Sequence, residues 1–327
     1  MSKYSKNDAQ DWANINVTGQ WSTLMTPFTP EDDIDENGIR SDVRRLIDLG
    51  SQGAGCTWGM GEFWSLTTEE RKQVYEIVSD ESQGKLLTAA HVSHSSIKTV
   101  IDLATHAEDQ NFDLLVLAAP YFVTKKEDQV IEWVNLLAQK TNLGIMFYNS
   151  PQFGITMTPN GLKEICKIPN VVGVKEASFN PEISIETHLA LGEQSLISTP
   201  DEWIFHKGKE LGFQQKVMFA NTSDWRFDTP ESNYYVQFIN KAIDGNLDIE
   251  MYEEHLAPIK AVSDKWWQYT VKKMNGALPA SLCKFWGEIM GMSGGSVRPP
   301  LVDLSDSEKT DLKNDIAKAR NKSVISL

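Results

Sequence analysis

Apolar and polar positions alternate between two textures from Gln20 to Ile243. Short, nearly continuous apolar runs occupy 20–25, 54–58, 85–92, 113–119, 143–149, 171–176, 194–198 and 216–220. Runs of this kind, bounded by turn residues, predict strands buried on both faces, as in a parallel sheet. Between them lie longer stretches at 34–49, 67–79, 95–109, 126–140, 158–167, 182–191, 200–211 and 230–243. Their apolar positions recur three and four apart, as Ile39, Val43, Leu46 and Ile47 do, which predicts helices. The punctuation agrees: Gly50 closes the first helix, Thr67-Thr-Glu-Glu70 is a capping box, and Pro159 opens a helix at its first position. Strand–helix units repeated in this way predict a (β/α)8 barrel. A doubly wound open sheet would carry a glycine-rich turn after its first strand, and here that turn is Thr26-Pro27-Phe28. Past residue 245 the strand texture stops, and 248–262, 264–274, 277–290 and 305–320 read as helices. Trp266, Trp267 and Trp286 in this part are expected to pack against the barrel or a sister subunit. The expected organisation is a polar, irregular N-terminal arm (1–18), a catalytic barrel (19–246) and a helical C-terminal domain (247–327).

One strand breaks its own pattern. Val171, Val172 and Val174 are followed by Lys175 at the strand's C-terminal end. Burying an ammonium is costly, and burial drives a lysine pKa down toward an amine that attacks carbonyls. The plainer alternative is a lysine that reaches solvent or pairs with Glu176. Barrel active sites lie at the C-terminal strand ends. That rule selects Thr26, Trp58 to Glu62, His91, Tyr121, Phe122, Tyr148, Asn149, Lys175, Glu176, Ser198 and Asn221. Tyr148 ends the strand next to that of Lys175, so a phenol and an amine are expected within reach of each other, the phenol moving protons. A buried tyrosine satisfied locally is the plainer reading.

Composition narrows the class. The 327 residues are 41% hydrophobic and 23% charged, enough for a large core. The net charge of −14, without a basic run, argues against nucleic acid. Cys56, Cys166 and Cys283 form no CxxC pair and suit a reducing compartment. With no apolar leader and no stretch approaching the ~18 residues of a membrane span, the expected address is the cytoplasm. The histidines show no strong metal-ligand spacing.

A family resemblance appears on these residues. Thr26-Pro-Phe28, Gly61-Glu62, Ala119-Pro-Tyr-Phe122, Phe147-Tyr-Asn-Ser-Pro151, Gly173-Val-Lys-Glu-Ala177, Ala220-Asn221 and Arg298-Pro-Pro-Leu-Val302 stand in the order and spacing of one family. The chain resembles dihydrodipicolinate synthase and N-acetylneuraminate lyase, the class I pyruvate-dependent aldolases. The resemblance implies that Lys175 forms a Schiff base with a 2-oxo acid, that Tyr148 is the acid/base beside it, and that no cofactor is needed. It also implies a barrel with a helical C-terminal domain, assembled as a homotetramer or homodimer.

The departures bear on substrate. Where the family commonly has two hydroxyl residues to hold the pyruvate carboxylate, this chain has Gly59 and Met60, leaving the backbone N–H groups of Met60 and Gly61 to form a nest. Phe122 stands where the lysine-pathway enzymes have a second tyrosine, and Gln152-Phe153-Gly154 lacks their carboxylate-gripping arginine. Trp58, Phe63, Trp64, Phe122 and Phe153 point to a less polar acceptor pocket, as in hydratase-aldolases, although each aromatic could be simple packing. His91 is a candidate for the missing acid/base group, against the reading of a histidine satisfied by backbone. The expected function is therefore a Schiff-base C–C lyase joining pyruvate and an aldehyde, with or without hydration. The rivals are a 2-oxo sugar acid dehydratase or lyase and a 2-oxo-acid sensor that has lost turnover.

Overall fold

The structure, a computed structural model, describes residues 3–220 and 228–320. Its strands are β1 (Gly19–Thr23), β2 (Gly53–Cys56), β3 (Leu87–His91), β4 (Leu114–Ala118), β5 (Gly144–Asn149), β6 (Val171–Glu176), β7 (Leu196–Ser198) and β8 (Val217–Phe219). They form one sheet in the order β7-β6-β5-β4-β3-β2-β1-β8. The pairs β3–β4, β4–β5, β5–β6, β6–β7 and β1–β8 are parallel. Between β7 and β8 the Ser198 hydroxyl accepts the Phe219 N–H at 2.7 Å, a side chain standing in for the ladder. The fold is the expected (β/α)8 barrel followed by C-terminal helices.

The local signals read from the sequence are present. Thr67 and Glu70 form both halves of the capping box. Gly50 caps the helix Glu36–Leu49 at φ 82°, in the left-handed region that costs glycine little. Pro159 sits in the first turn of Pro159–Ile165.

By compactness the chain divides into two units, one of Met1–Trp21, Leu87–Phe219 and Ile243–Gly245, the other of Ser22–Leu86, Ala220–Ala242 and Asn246–Leu327. In the first unit the arm expected to be irregular contains a helix, Ala9–Asn16. It forms because Ala9 and Ala13 are buried and Trp12 stacks on Tyr4 at 4.5 Å. The Tyr4 hydroxyl donates to the Asp113 carbonyl at 2.5 Å and accepts from the Gly144 N–H at 2.8 Å. Gln10 donates to the Val172 carbonyl at 3.2 Å. The arm thus covers the N-terminal ends of β4 to β6, opposite the ends that carry Tyr148 and Lys175.

In the second unit the helices expected at 248–262 and 264–274 are one run. It goes from Ile249–Met251 through a π-helical turn, Tyr252–Leu256, into Ala257–Lys273. The Lys260–Asp264 ion pair at 2.7 Å spans the expected break, and Ser263 is buried inside it. The wider π turn lies where Pro258 has no N–H to give to the ladder. Trp286 is fully buried, and Trp266 is buried with its indole N–H given to Asp315 at 2.9 Å.

Candidate active site

β6 ends on Lys175 and Glu176, and every residue of the strand is buried. Lys175 is 2% exposed, which removes the solvent reading. Glu176 is engaged elsewhere: its carboxylate accepts from Asn149 Nδ2 at 2.7 Å, from the Ser178 N–H at 2.9 Å, from the Ser178 hydroxyl and from the Ser184 hydroxyl at 3.2 Å. The Lys175 Nζ donates to the Phe219 carbonyl at the end of β8, at 3.2 Å. Burial lowers its pKa from the ordinary 10.5 to about 7.

Tyr148 on β5 is the direct register partner of Lys175, so their side chains leave the sheet on the same face. The Lys175 Nζ lies 5.2 Å from the Tyr148 ring centroid. Burial pushes the phenol up to about 12, and a hydrogen bond with the Ser150 side chain opposes that rise. Ser198 on β7 is in register with Lys175 from the other side.

An aromatic wall surrounds the phenol. Phe153 is buried with its ring 5.3 Å from that of Tyr148, and His91, fully buried at the end of β3, stands 6.3 Å from Tyr148 and 6.1 Å from Phe153. Tyr121 is 6.4 Å from Phe153. The structure therefore brings Lys175, Tyr148, His91 and Phe153 together. Phe122 behaves differently. It is 95% exposed, adopts φ 71°, and touches the edge of Tyr121 at 5.6 Å.

The other expected site residues belong to the second unit. Gly59–Gly61 is a turn of 3-10 helix, with Met60 buried, and Glu62 follows at φ 54°, ψ 38°. Right-handed residues followed by a left-handed one make the nest geometry in which backbone N–H groups converge. Trp64 is 40% exposed and packs edge-on against Phe63 at 5.3 Å. Asn221 lies outside the described residues.

Two features were not read from the sequence. The first is Ser150, two residues beyond Tyr148 on the same chain direction; the alternation of side chains along a strand was the available signal. The second is Lys284, set among Leu282, Cys283, Phe285 and Trp286 and only 1% exposed in its side chain. Its Nζ lies 2.6 Å from Glu62 Oε1, donates to the Ser296 carbonyl at 2.8 Å, and sits 4.1 Å from the Phe28 ring centroid. The Arg298 guanidinium is also 4.1 Å from that centroid and reaches Glu70 at 2.6 Å and Asp32 at 2.9 Å, while the Arg298 backbone N–H donates to Glu62 at 3.3 Å. Thr26 donates to the Gly61 carbonyl at 2.8 Å. Three stretches that carried the resemblance, Thr26-Pro-Phe28, Gly61-Glu62 and Arg298-Pro, are thus one framework that fixes the Gly59–Gly61 turn.

Among the described residues no group of three or more His, Cys, Asp or Glu side chains is placed to hold a metal, and no helix is long and apolar enough to cross a membrane.

Similarity to known proteins extends over most of the chain. A 4-hydroxy-tetrahydrodipicolinate synthase of Methanothrix thermoacetophila is 26% identical over 304 residues, 92% of this chain and 96% of that one. A synthase of the same name from Methanothermobacter thermautotrophicus is 28% identical over 165 residues, covering 50% of this chain and 58% of that one. A probable 5-dehydro-4-deoxyglucarate dehydratase of Bacillus licheniformis is 22% identical over 297 residues, 89% of this chain and 90% of that one. Among solved structures, Proteus mirabilis N-acetylneuraminate lyase matches with a TM-score of 0.78 at 22% identity, over 93% of this chain and 99% of that one. A prophage protein of the dihydrodipicolinic acid synthase family from E. coli K12, in complex with pyruvate, matches with a TM-score of 0.78 at 19% identity, over 93% and 98%. The model of the dihydrodipicolinate synthetase family matches residues 16–319, and the chain belongs to that family.

Proposed function

We propose that this protein is a pyruvate-dependent carbon–carbon lyase in which Lys175 forms a Schiff base with the 2-oxo acid and Tyr148 moves the protons. The observation that carries the reading is a fully buried lysine at a strand's C-terminal end, in direct register with a buried tyrosine. Desolvation leaves much of the amine neutral near pH 7, the form that attacks a carbonyl. The amine adds to C2 of pyruvate, water leaves, and the protonated imine withdraws electrons so that C3 can lose a proton and become an enamine. The enamine attacks an aldehyde, or in reverse the C–C bond breaks and releases one. No metal or other cofactor enters this scheme.

The Met60 and Gly61 N–H groups would receive the 2-oxo acid carboxylate, the nest geometry of the turn supporting that role. His91, Phe153, Trp64, Phe122 and Asn221 remain proposed substrate contacts. The Phe153 wall and the missing arginine favour a bulky, poorly charged aldehyde. A charge-assisted contact is worth about 1.5–3 kcal/mol, so an acceptor with a second carboxylate would bind roughly tenfold to a hundredfold more weakly without it. The domain division at 18/19 and 246/247, a homotetrameric or homodimeric assembly and a cytoplasmic address belong to the same proposal. A second reading, dehydration of a 2-oxo sugar acid, is favoured by the similarity to the Bacillus licheniformis dehydratase.

The test has two stages. Borohydride reduction in the presence of pyruvate, followed by peptide mass mapping, should place the adduct on Lys175; an adduct on another lysine defeats the assignment. Condensation of pyruvate with aspartate semialdehyde and with aryl and alkyl aldehydes, together with 2-oxo sugar acid dehydration, is then ranked by kcat/KM. An aryl or alkyl aldehyde should rank first.

A further inference from the structure

We infer that Ser150 is the positioning and proton-supplying partner of Tyr148. The inference rests on the reading of Tyr148 as the proton-moving group.

Ser150 follows β5 with φ −152° and ψ 138°, so the extended backbone of the strand continues through it. An extended chain sends residues two apart to the same side, which sets the Ser150 hydroxyl on the side of the Tyr148 phenol. Ser150 is 1% exposed, and its side chain beside the phenol opposes the rise that burial imposes on Tyr148. Its backbone is held from both sides. Asn149 Oδ1 takes the Met157 N–H at 2.8 Å, and Ser150 bridges Ile155 across the short loop. Pro151 then starts a 3-10 turn whose Gln152 N–H is given to Ser150 Oγ at 3.4 Å. A serine hydroxyl has one proton and two lone pairs. With one lone pair turned to Gln152, the proton and the other lone pair are left for Tyr148.

The chemistry needs such a partner. When the carbinolamine collapses, the phenol gives its proton to the departing hydroxyl, which leaves as water while the nitrogen lone pair forms the C=N bond. The phenol oxygen takes the Ser150 proton, and Ser150 takes one from solvent. The net step consumes one solvent proton, releases one water and leaves a protonated imine. Tyr148 alone, its pKa raised by burial, would have to hold a phenolate in an apolar wall between turnovers.

The experiment compares Ser150→Ala with the pair Ser150→Thr and Ser150→Val. Threonine and valine have nearly the same shape, both suit an extended backbone, and only one keeps the hydroxyl. Thermal melts establish that the variants fold. Alanine and valine should lower kcat about 10- to 100-fold with KM changed by less than about threefold, while threonine stays within about threefold of the wild type. Exchange of the pyruvate C3 protons in D2O, followed by NMR, should slow in the same two variants and recover in the third. Wild-type kcat in Ser150→Val overturns the inference, and so does an equal loss in the threonine and valine variants, because the side chain's shape would then be what matters. If the wild-type enzyme itself gives no pyruvate adduct, the proposed function fails first; if it gives one and Ser150→Val is fully active, only the Ser150 role falls.

Discussion

Two lysines are buried among the described residues, and they are buried differently. Lys284, 1% exposed, lies against the Glu62 carboxylate at 2.6 Å, a backbone carbonyl and the Phe28 ring. Lys175, 2% exposed, has its adjacent carboxylate drawn away by Asn149, Ser178 and Ser184, and its amine faces a peptide carbonyl and a phenol ring. Desolvation lowers both pKa values, but at Lys284 the Glu62 charge pushes back, whereas at Lys175 burial is the cause that acts. Burial alone therefore does not make a nucleophile. A counter-charge at 2.6 Å opposes loss of the amine's proton; a dipole in an apolar strand end offers no such opposition.

The largest effect should come from removing the reactive amine. Lys175→Met should give no borohydride-trapped pyruvate and turnover at background, while Lys284→Met should still be labelled on Lys175. If Lys284 carries the adduct instead, the contrast between the two sites is reversed.

Next is the phenol. Tyr148→Phe should keep the fold and lower kcat by about 10²–10⁴-fold, as loss of a general acid/base does. Steady-state kinetics decide it, and unchanged turnover would make Tyr148 only part of the aromatic wall.

At Lys284 the expected effect is on stability. Removing one partner of a buried pair leaves the other charge uncompensated, a cost of about 3–5 kcal/mol. Lys284→Met should therefore lower the denaturation midpoint strongly, and adding Glu62→Gln should recover a good part of the loss. Denaturant titrations of both variants and the wild type check this. A single variant as stable as the wild type would mean that Arg298 alone satisfies Glu62.

The two lysines also mark what the sequence reveals. Lys175 was legible because it ends a short valine run between proline-bounded turns, in a repeat that forecasts a barrel. Lys284 stands in an equally apolar stretch, Leu282-Cys-Lys-Phe-Trp286, but inside a helical pattern, where a lysine ordinarily reaches solvent. Its partner is 222 positions away by subtraction, at Glu62, and no local pattern encodes such a pairing. The N-terminal helix was missed for the same reason, since its apolar side is only Ala9, Ala13 and Trp12 and it is held by distant backbone groups at Asp113 and Gly144. Phe122 is a further case: its ring is 95% exposed on a left-handed backbone at φ 71°, a conformation that no local sequence pattern announced.

The smallest effect sharpens the comparison through pH. A free lysine holds its proton to about pH 10.5, and Lys175 in the folded protein only to about 7. Between those values the unfolded chain binds the extra proton, so the Lys175 contribution to stability rises with pH across that window and is flat above it. Reactivity follows the same titration. Initial adduct formation with pyruvate, quenched by borohydride, should fall about tenfold per pH unit below 7 and level off above it, because only the neutral amine attacks. The stability part is isolated by subtraction: the stability of the wild type minus that of Lys175→Met should rise from pH 7 to pH 10, as the cost of the buried ammonium is relieved. Adduct formation that keeps rising steeply to pH 10 would mean that Lys175 titrates as an ordinary lysine, and desolvation at the end of β6 would then not be what separates the two sites.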